Sequence, residues 1–524
     1  MAKSKFKESS AHLSLYGALL RAKRRYGGNK EAILDADNRV LTYTEIIRAS
    51  LALGNAIKAR TKSKERIGIL LPTGAGTLLA FFALHSIGRV PAMLNFTAGM
   101  HNLNAALKAA EVTKVITAHK FIEIAGLETL EAELSKSAEL IYLEDVRDNI
   151  TTKNKIVAAI GSIFPALVVA KPSYKEPGVI LFTSGTEGDP KGVVLSHKNL
   201  IANVEQVRAH VELFETDVVF NPLPTFHCFG LTGGALLPLF LGIKVALYPS
   251  PLHIKIIPDR IKKVGATIMF ATDTFLSRYA RSGKEGDLSS LRFAVCGAEQ
   301  VRDETRSFVK KKFGLTILEG YGATEAAPVV AVNQPEANRF GTVGHFLPGM
   351  EHRIDKVPGI EKGGRLFLKG PNVMMGYLTT DQPGVIQPLK EGWHDTGDVV
   401  VIDEDGYVAI RGRVKRFANI GGETISLAVV ENCTKAVWPE NEHVALILPD
   451  PKKGEQIYVI SDSPEANRID ILNWAQQHGV PELSVPKKVF VVDEIPLLGT
   501  GKVDYAGAQK LLETLMEKPK AIVE

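Results

Sequence analysis

Leu181-Phe182-Thr183-Ser184-Gly185-Thr186-Glu187-Gly188-Asp189-Pro190-Lys191-Gly192-Val193 marks the point where one apolar run, 179–182, breaks into hydroxyls and glycines and a second, 193–195, begins. Glycine lets backbone N–H groups approach an anion closely, hydroxyls add donors, and Lys191 adds a positive charge. These are the parts of a phosphate cradle. The order G-x-x-x-x-G-K-[ST] is absent, and apolar runs on both sides predict a loop that joins strand to strand. Read alone, the same residues also fit an ordinary Gly/Pro hairpin turn. The surrounding chain decides between the two.

Upstream, Thr42 is a candidate helix cap with Glu45 three residues on, followed by Ile46, Ile47, Leu51, Leu53 and Ile57 near helical spacing. Short apolar runs at 67–71, 115–117 and 140–143 alternate with helical stretches at 76–87 and 102–111, which predicts βαβ units and parallel sheets. Downstream, Leu200, Ile201, Val204, Val207 and Val211 mark an amphipathic helix. Runs at 218–220, 244–247, 267–270, 293–296 and 316–318 read as strands. From 341 to 412 the strands shorten and the turns tighten, and beyond Arg416 a small module restarts with strands at 444–448, 457–460 and 489–492 and a helix at 469–477. The expected fold class is α/β: a large N-terminal part of two α/β sheet layers plus a small β-rich unit, then a mobile small α+β C-terminal domain. The expected domains are 1–412 and 413–524.

A chain of 524 residues is too long for one core. Its 45% hydrophobic and 23% charged content is that of a globular protein. Three cysteines with no C-x-x-C pairing argue against a disulfide framework or a zinc site and fit a reducing cytoplasm. The polar start and the short, broken apolar run at 13–20 do not make a secretion signal, and no run of apolar residues is long enough to span a bilayer. A net charge of +5, with basic clusters at 310–312 and at Arg413, Lys415 and Arg416, favours acidic partners or anionic lipid heads. No basic motif interleaved with aromatics points to nucleic acid. The apolar stretch 156–170 has two readings, a helix resting on a bilayer surface or a partly buried connector.

Four further stretches follow the opening one in order: Gly320-Tyr321-Gly322-Ala323-Thr324-Glu325, Trp393-His394-Asp395-Thr396-Gly397-Asp398, Gly412-Arg413-Val414-Lys415-Arg416, and Leu498-Gly499-Thr500-Gly501-Lys502. Together the five resemble the core motifs of the adenylate-forming superfamily of acyl-CoA synthetases, luciferases and adenylation domains. Val90-Pro91-Ala92-Met93-Leu94-Asn95, Leu247-Tyr248-Pro249-Ser250-Pro251-Leu252-His253 and the stretch 412–426 resemble more closely the synthetase half of the bacterial bifunctional 2-acylglycerophosphoethanolamine acyltransferase/acyl-acyl carrier protein synthetase family. The His-x4-Asp pair of that family's acyltransferase half has no counterpart, since no histidine is followed by aspartate five positions later. The ligase alone is expected.

The resemblance implies two half-reactions. A fatty carboxylate attacks the α-phosphorus of ATP and releases pyrophosphate, and a thiol then displaces AMP. It implies that Thr183, Ser184, Gly185, Thr186, Gly188 and Lys191 hold phosphates and that Glu325 binds Mg²⁺, a cation suited to hard carboxylate oxygen. By the same resemblance Tyr321 lies against adenine with Gly322 and Thr324 beside it, and Gly297, Ala298 and Glu299 line the junction of base and substrate. Asp398 and Arg413 contact the ribose, while Lys502 bridges the substrate carboxylate and the α-phosphate. Lys415 is the hinge about which the C-terminal module turns between the half-reactions. His227, within Phe226-His227-Cys228-Phe229-Gly230, is the candidate gate to an acyl channel; a packed core histidine is its plainer reading. Expected partners are a long-chain fatty acid and acyl carrier protein, with CoA as the alternative acceptor. A peripheral contact with the inner membrane and a separate lysophospholipid acyltransferase belong to the same expectation. A non-catalytic nucleotide-binding or membrane-docking protein is the alternative from another class.

Overall fold

The computed structural model describes residues 5–183, 189–420, 423–450, 454–497 and 503–517. The chain forms two compact units, Met1–Glu351 with Lys369–His394, and His352–Leu368 with Asp395–Glu524.

The larger unit is built on two sheets. In one, Val218–Asn221, Lys244–Leu247, Ile268–Ala271, Phe293–Cys296 and the start of Thr316–Gly322 run parallel. In the other, Val90–Met93, Arg66–Ile69, Lys114–Thr117 and Glu139–Tyr142 run parallel beside Pro177–Phe182. These are the two α/β layers that alternating apolar runs and helical stretches predict. Helix Ala75–Ser86 is apolar on every side and correspondingly buried, as is most of His197–His210. One contiguous core draws side chains from both sheets and both helices. The cap expected at the 43–57 helix is complete: Glu45 N–H donates to Thr42 Oγ1 at 3.3 Å and Thr42 N–H donates to Glu45 Oε2 at 2.8 Å.

Pro177–Phe182 pairs antiparallel with Gly192–Ser196, Phe182 facing Gly192, so the opening stretch does join strand to strand. A Cβ at Gly192 would press to 3.2 Å on both Ile180 and Leu378. A residue without one lets three strands meet there without displacing these neighbours. The third is Gly376–Leu378, which leaves the β-rich stretch of the sequence to extend this sheet, with Tyr377 opposite Val193.

The apolar stretch at 156–170 begins as helix Thr152–Ile163 and ends in the turn Pro165–Leu167. Ala158, Gly161 and Ser162 are buried, as a connector would be, while Ile156, Ile160 and Ile163 face outward.

The second unit holds a four-stranded sheet of Glu351–Asp355, Gly364–Lys369, His394–Ile402 and Val408–Arg413, which is the expected β-rich element. It also holds the α+β module. There His443–Asp450 and Gly454–Ser461 pair antiparallel, Lys488–Val491 runs parallel to the latter, and helices Leu427–Val437, Arg468–Gln477 and Tyr505–Glu517 accompany them.

Candidate active site

The strand ends that flank residues 184–188 are tied to each other. Thr183 N–H donates to the Lys191 carbonyl at 3.1 Å, and Lys191 N–H donates to Thr183 Oγ1 at 3.3 Å. Thr380 Oγ1 donates to Asp189 Oδ2 at 2.9 Å. Ser184, Gly185, Thr186 and Gly188 lie outside the described residues, as does Lys502. Lys191 is exposed, its ammonium 5.3 Å from the centre of the Tyr377 ring, within cation–π range.

The same tyrosine reaches Glu325. Its hydroxyl donates to Glu325 Oε1 at 2.7 Å, a charge-assisted bond that holds the half-buried carboxylate. The backbone holds it too: the Glu325 carbonyl accepts from Met374 N–H at 2.8 Å. One phenol therefore links the loop lysine to the expected metal ligand, and the pairing of Tyr377 with Val193 sets its position. Sequence reasoning did not single out Tyr377. Three residues of strand carry little periodicity, and their partner lies far upstream.

Tyr321, Gly322, Gly297 and Ala298 come together at the carboxyl ends of neighbouring parallel strands, where ligands bind in α/β sheets. A Cβ at Gly322 would lie 2.5 Å from the Pro328 carbonyl. Ala298 holds a left-handed backbone with φ of 71°, which a residue with a side chain adopts at some cost. Thr324 opens the turn Thr324–Ala326 that carries Glu325. Glu299 has a different task from its neighbours: its Oε2 accepts from Thr274 N–H at 3.0 Å, in the first turn of helix Asp273–Ser282.

From this edge an apolar cavity of about 100 Å³ runs back into the larger unit. Gly297, Val295 and Phe293 alternate along one strand to form a wall, joined by Phe270, Val207 and Leu213. Among the described residues no acid or base lines it. The strand rise makes the wall from Gly297 to Phe293 about 13 Å long. Phe229, in the π-helical segment Phe229–Leu236, meets Phe270 edge-on at 5.5 Å on this lining. His227 is half-buried beside Phe226, with ring centres 4.8 Å apart, just before that segment and off the cavity lining. The nearby thiol of Cys228 is pushed up to about 12 by burial, so it offers no thiolate nucleophile.

In the second unit, Asp398 and Arg413 face each other across paired strands, Arg413 Nε standing 3.2 Å from Asp398 Oδ1. The carboxylate is buried and the guanidinium exposed. Asp395 instead pairs with Arg365, a structural partnership. Lys415 sits in the short turn Val414–Arg416 directly after the Asp398–Arg413 ladder.

Residues 19–378 match the AMP-binding enzyme family, and the chain belongs to it. It is 30% identical to a feruloyl-CoA synthase of Amycolatopsis sp over 88% of this chain and 92% of that protein. With the long-chain-fatty-acid–CoA ligase of Salmonella typhimurium it shares 27% over 84% of each chain. With the medium-chain fatty-acid–CoA ligase of Escherichia coli it shares 26% over 91% of this chain and 86% of that one. The solved structure of ATP-bound MatB from Rhodopseudomonas palustris superposes with a TM-score of 0.80 at 25% identity, covering 96% of this chain and 99% of that one. A structure of Bacillus subtilis o-succinylbenzoate CoA synthetase (MenE) with ATP and magnesium shares the fold, with a TM-score of 0.79 at 20% identity and coverage of 93% and 98%. The protein is an AMP-forming acid–thiol ligase of the adenylate-forming superfamily; the metal bound in the MenE structure is Mg²⁺.

The residues fit that metal. Among the described residues no group of three acids, histidines or cysteines could cage an ion. A single oriented carboxylate, Glu325, suits Mg²⁺, which binds through one or two carboxylates and the nucleotide's own phosphates.

Proposed function

We propose that the protein joins a fatty acid to CoA through an acyl-adenylate. The observation that carries this reading is the uncharged, apolar cavity ending at Gly297, Ala298 and Tyr321. A dicarboxylate or a cationic acid would bury a charge there without a partner, whereas each methylene buried contributes about 0.8 kcal/mol. The named relatives are CoA ligases, which favours CoA over the acyl carrier protein that the sequence resemblance put first.

In this reading Thr183, Ser184, Gly185, Thr186, Gly188 and Lys191 hold the β- and γ-phosphates. Tyr377 fixes Glu325, which would hold Mg²⁺; the ion supplies charge neutralisation for the phosphates. Tyr321 stacks on adenine, with Gly322 and Thr324 alongside. Gly297 and Ala298 keep the edge thin enough for substrate and base to meet, and Glu299 positions them by anchoring helix Asp273–Ser282. Asp398 accepts from the ribose hydroxyls, with Arg413 as its partner. Lys502 neutralises the carboxylate and α-phosphate as they approach, so that two anions can react. His227, half-buried beside Phe226 and off the cavity lining, takes its plainer reading, a packed core histidine. A turn about Lys415 exchanges the work of the 1–412 and 413–524 segments between adenylation and thioester formation. No protein nucleophile is needed, because alignment and charge stabilisation suffice.

Incubation of ATP, Mg²⁺ and labelled palmitate with either CoA or holo-acyl carrier protein tests the acceptor. Faster product with CoA is expected. Faster product with the carrier protein would overturn that choice and make a separate lysophospholipid acyltransferase the natural consumer of the product.

A further inference from the structure

On the outer side of the larger unit, in the segment just upstream of the strand that leads to Thr183, Ile156, Ile160, Ile163, Phe164 and Leu167 form one exposed stripe. Exposure runs from 45% at Ile160 to 75% at Leu167. The first three recur at helical spacing on Thr152–Ile163, and Phe164 and Leu167 continue the line into the turn Pro165–Leu167. Scattered exposed apolar residues are ordinary; five adjacent ones are not.

The opposite face explains why the stripe cannot fold inward. Gly161 lies so close to its neighbours that a Cβ there would sit 2.3 Å from Val168 and 2.9 Å from Leu51 of helix Tyr43–Ile57. Lys23 Nζ donates to the Ser162 carbonyl at 2.7 Å, and Arg48 Nε donates to Ser162 Oγ at 3.2 Å. The helix is clamped by its small-residue side, and its large side chains are left in solvent.

Charge says what covers them. From 149 to 175 there is no aspartate or glutamate, while Lys153, Lys155, Lys171 and Lys175 are present. By helical geometry Lys153 and Lys155 flank the apolar stripe on either side, both exposed. A stripe one helix wide, edged by lysines that can reach up to phosphate oxygens, is the pattern of a helix lying in the plane of a bilayer surface. We propose that this face docks the protein on anionic lipid, bringing it to the phase where acids with long apolar tails reside. The docking does not depend on which acid or acceptor the catalytic site takes.

The test is co-sedimentation of the full chain with vesicles of phosphatidylcholine alone or mixed with phosphatidylglycerol. Binding to the mixed vesicles, weak binding to the neutral ones, and release by raised salt are expected. Phe164→Glu with Leu167→Glu, and separately Lys153→Glu with Lys155→Glu, should each lower the bound fraction about tenfold or more. Both variants should keep wild-type turnover of a short, water-soluble acid. Binding that ignores vesicle charge, or that survives both double variants, overturns the proposal. So does concentration-dependent dimerisation without lipid that F164E/L167E abolishes, since the stripe would then be a contact between copies.

Discussion

At the scale of single residues the site turns on Tyr377, whose hydroxyl holds Glu325 while its ring carries Lys191. A hydrogen bond to a charged group contributes about 1.5–3 kcal/mol. Tyr377→Phe should therefore raise the Mg²⁺ concentration needed for half-maximal pyrophosphate exchange about tenfold. An unaltered Mg²⁺ dependence would mean that Glu325 needs no such support. This residue also marks a limit of reading motifs in line. Glu325 was legible because Gly320-Tyr321-Gly322 announces it, whereas Tyr377 gains its role only from pairing with Val193. Glu299 shows the reverse: adjacency to Gly297 and Ala298 suggests a pocket residue, and the fold adds a tie the motif does not announce, from Thr274 N–H to its Oε2.

At the scale of elements, strand Phe293–Cys296 and Gly297 after it wall the apolar cavity, and on the proposed reading they measure the acyl tail. With roughly 0.8 kcal/mol per buried methylene, kcat/KM should climb about fourfold per carbon along a series of straight-chain acids until the cavity is full. Val295→Phe should move that plateau to shorter acids; an unchanged plateau would place the tail elsewhere. Helix packing sets a second expectation. His197, in the first turn of its helix, accepts from Leu15 N–H at 3.2 Å, and His85 meets it edge-on at 5.2 Å. Burial holds His197 down to about 4 and pushes His85 well below the ordinary histidine value. Between pH 6.5 and about 4 the unfolded chain binds protons that the folded chain refuses, so stability is full above this window and falls as pH drops through it. For His197 alone the loss is at most about 3 kcal/mol. His197→Asn keeps an acceptor for Leu15 and removes the proton, so urea midpoints measured across the window should fall less steeply than in the wild type. Coincident slopes would exclude His197. Alternation of apolar runs made these helices and strands legible in advance. Their pairing was not, because Gly376–Leu378 joins a sheet whose other members lie mostly near the start of the chain.

At the scale of the whole molecule, the two packed units and the family's two half-reactions bear on one expectation about motion. Lys415→Pro fixes φ in the turn after the Asp398–Arg413 ladder and should leave pyrophosphate exchange near the wild-type rate while slowing thioester formation. Equal loss of both would argue against a hinge there. The apolar content and periodic runs made the α/β layers readable, but composition is silent on the acceptor thiol, which leaves no mark on the uncharged cavity. The most direct test of the central claim is to supply a fatty acid labelled with ¹⁸O in its carboxylate, together with ATP, Mg²⁺ and CoA, and to weigh the nucleotide product. Attack of the carboxylate on the α-phosphorus predicts AMP carrying one labelled oxygen, formed together with acyl-CoA. Unlabelled AMP, or label appearing in inorganic phosphate with ADP, would contradict it.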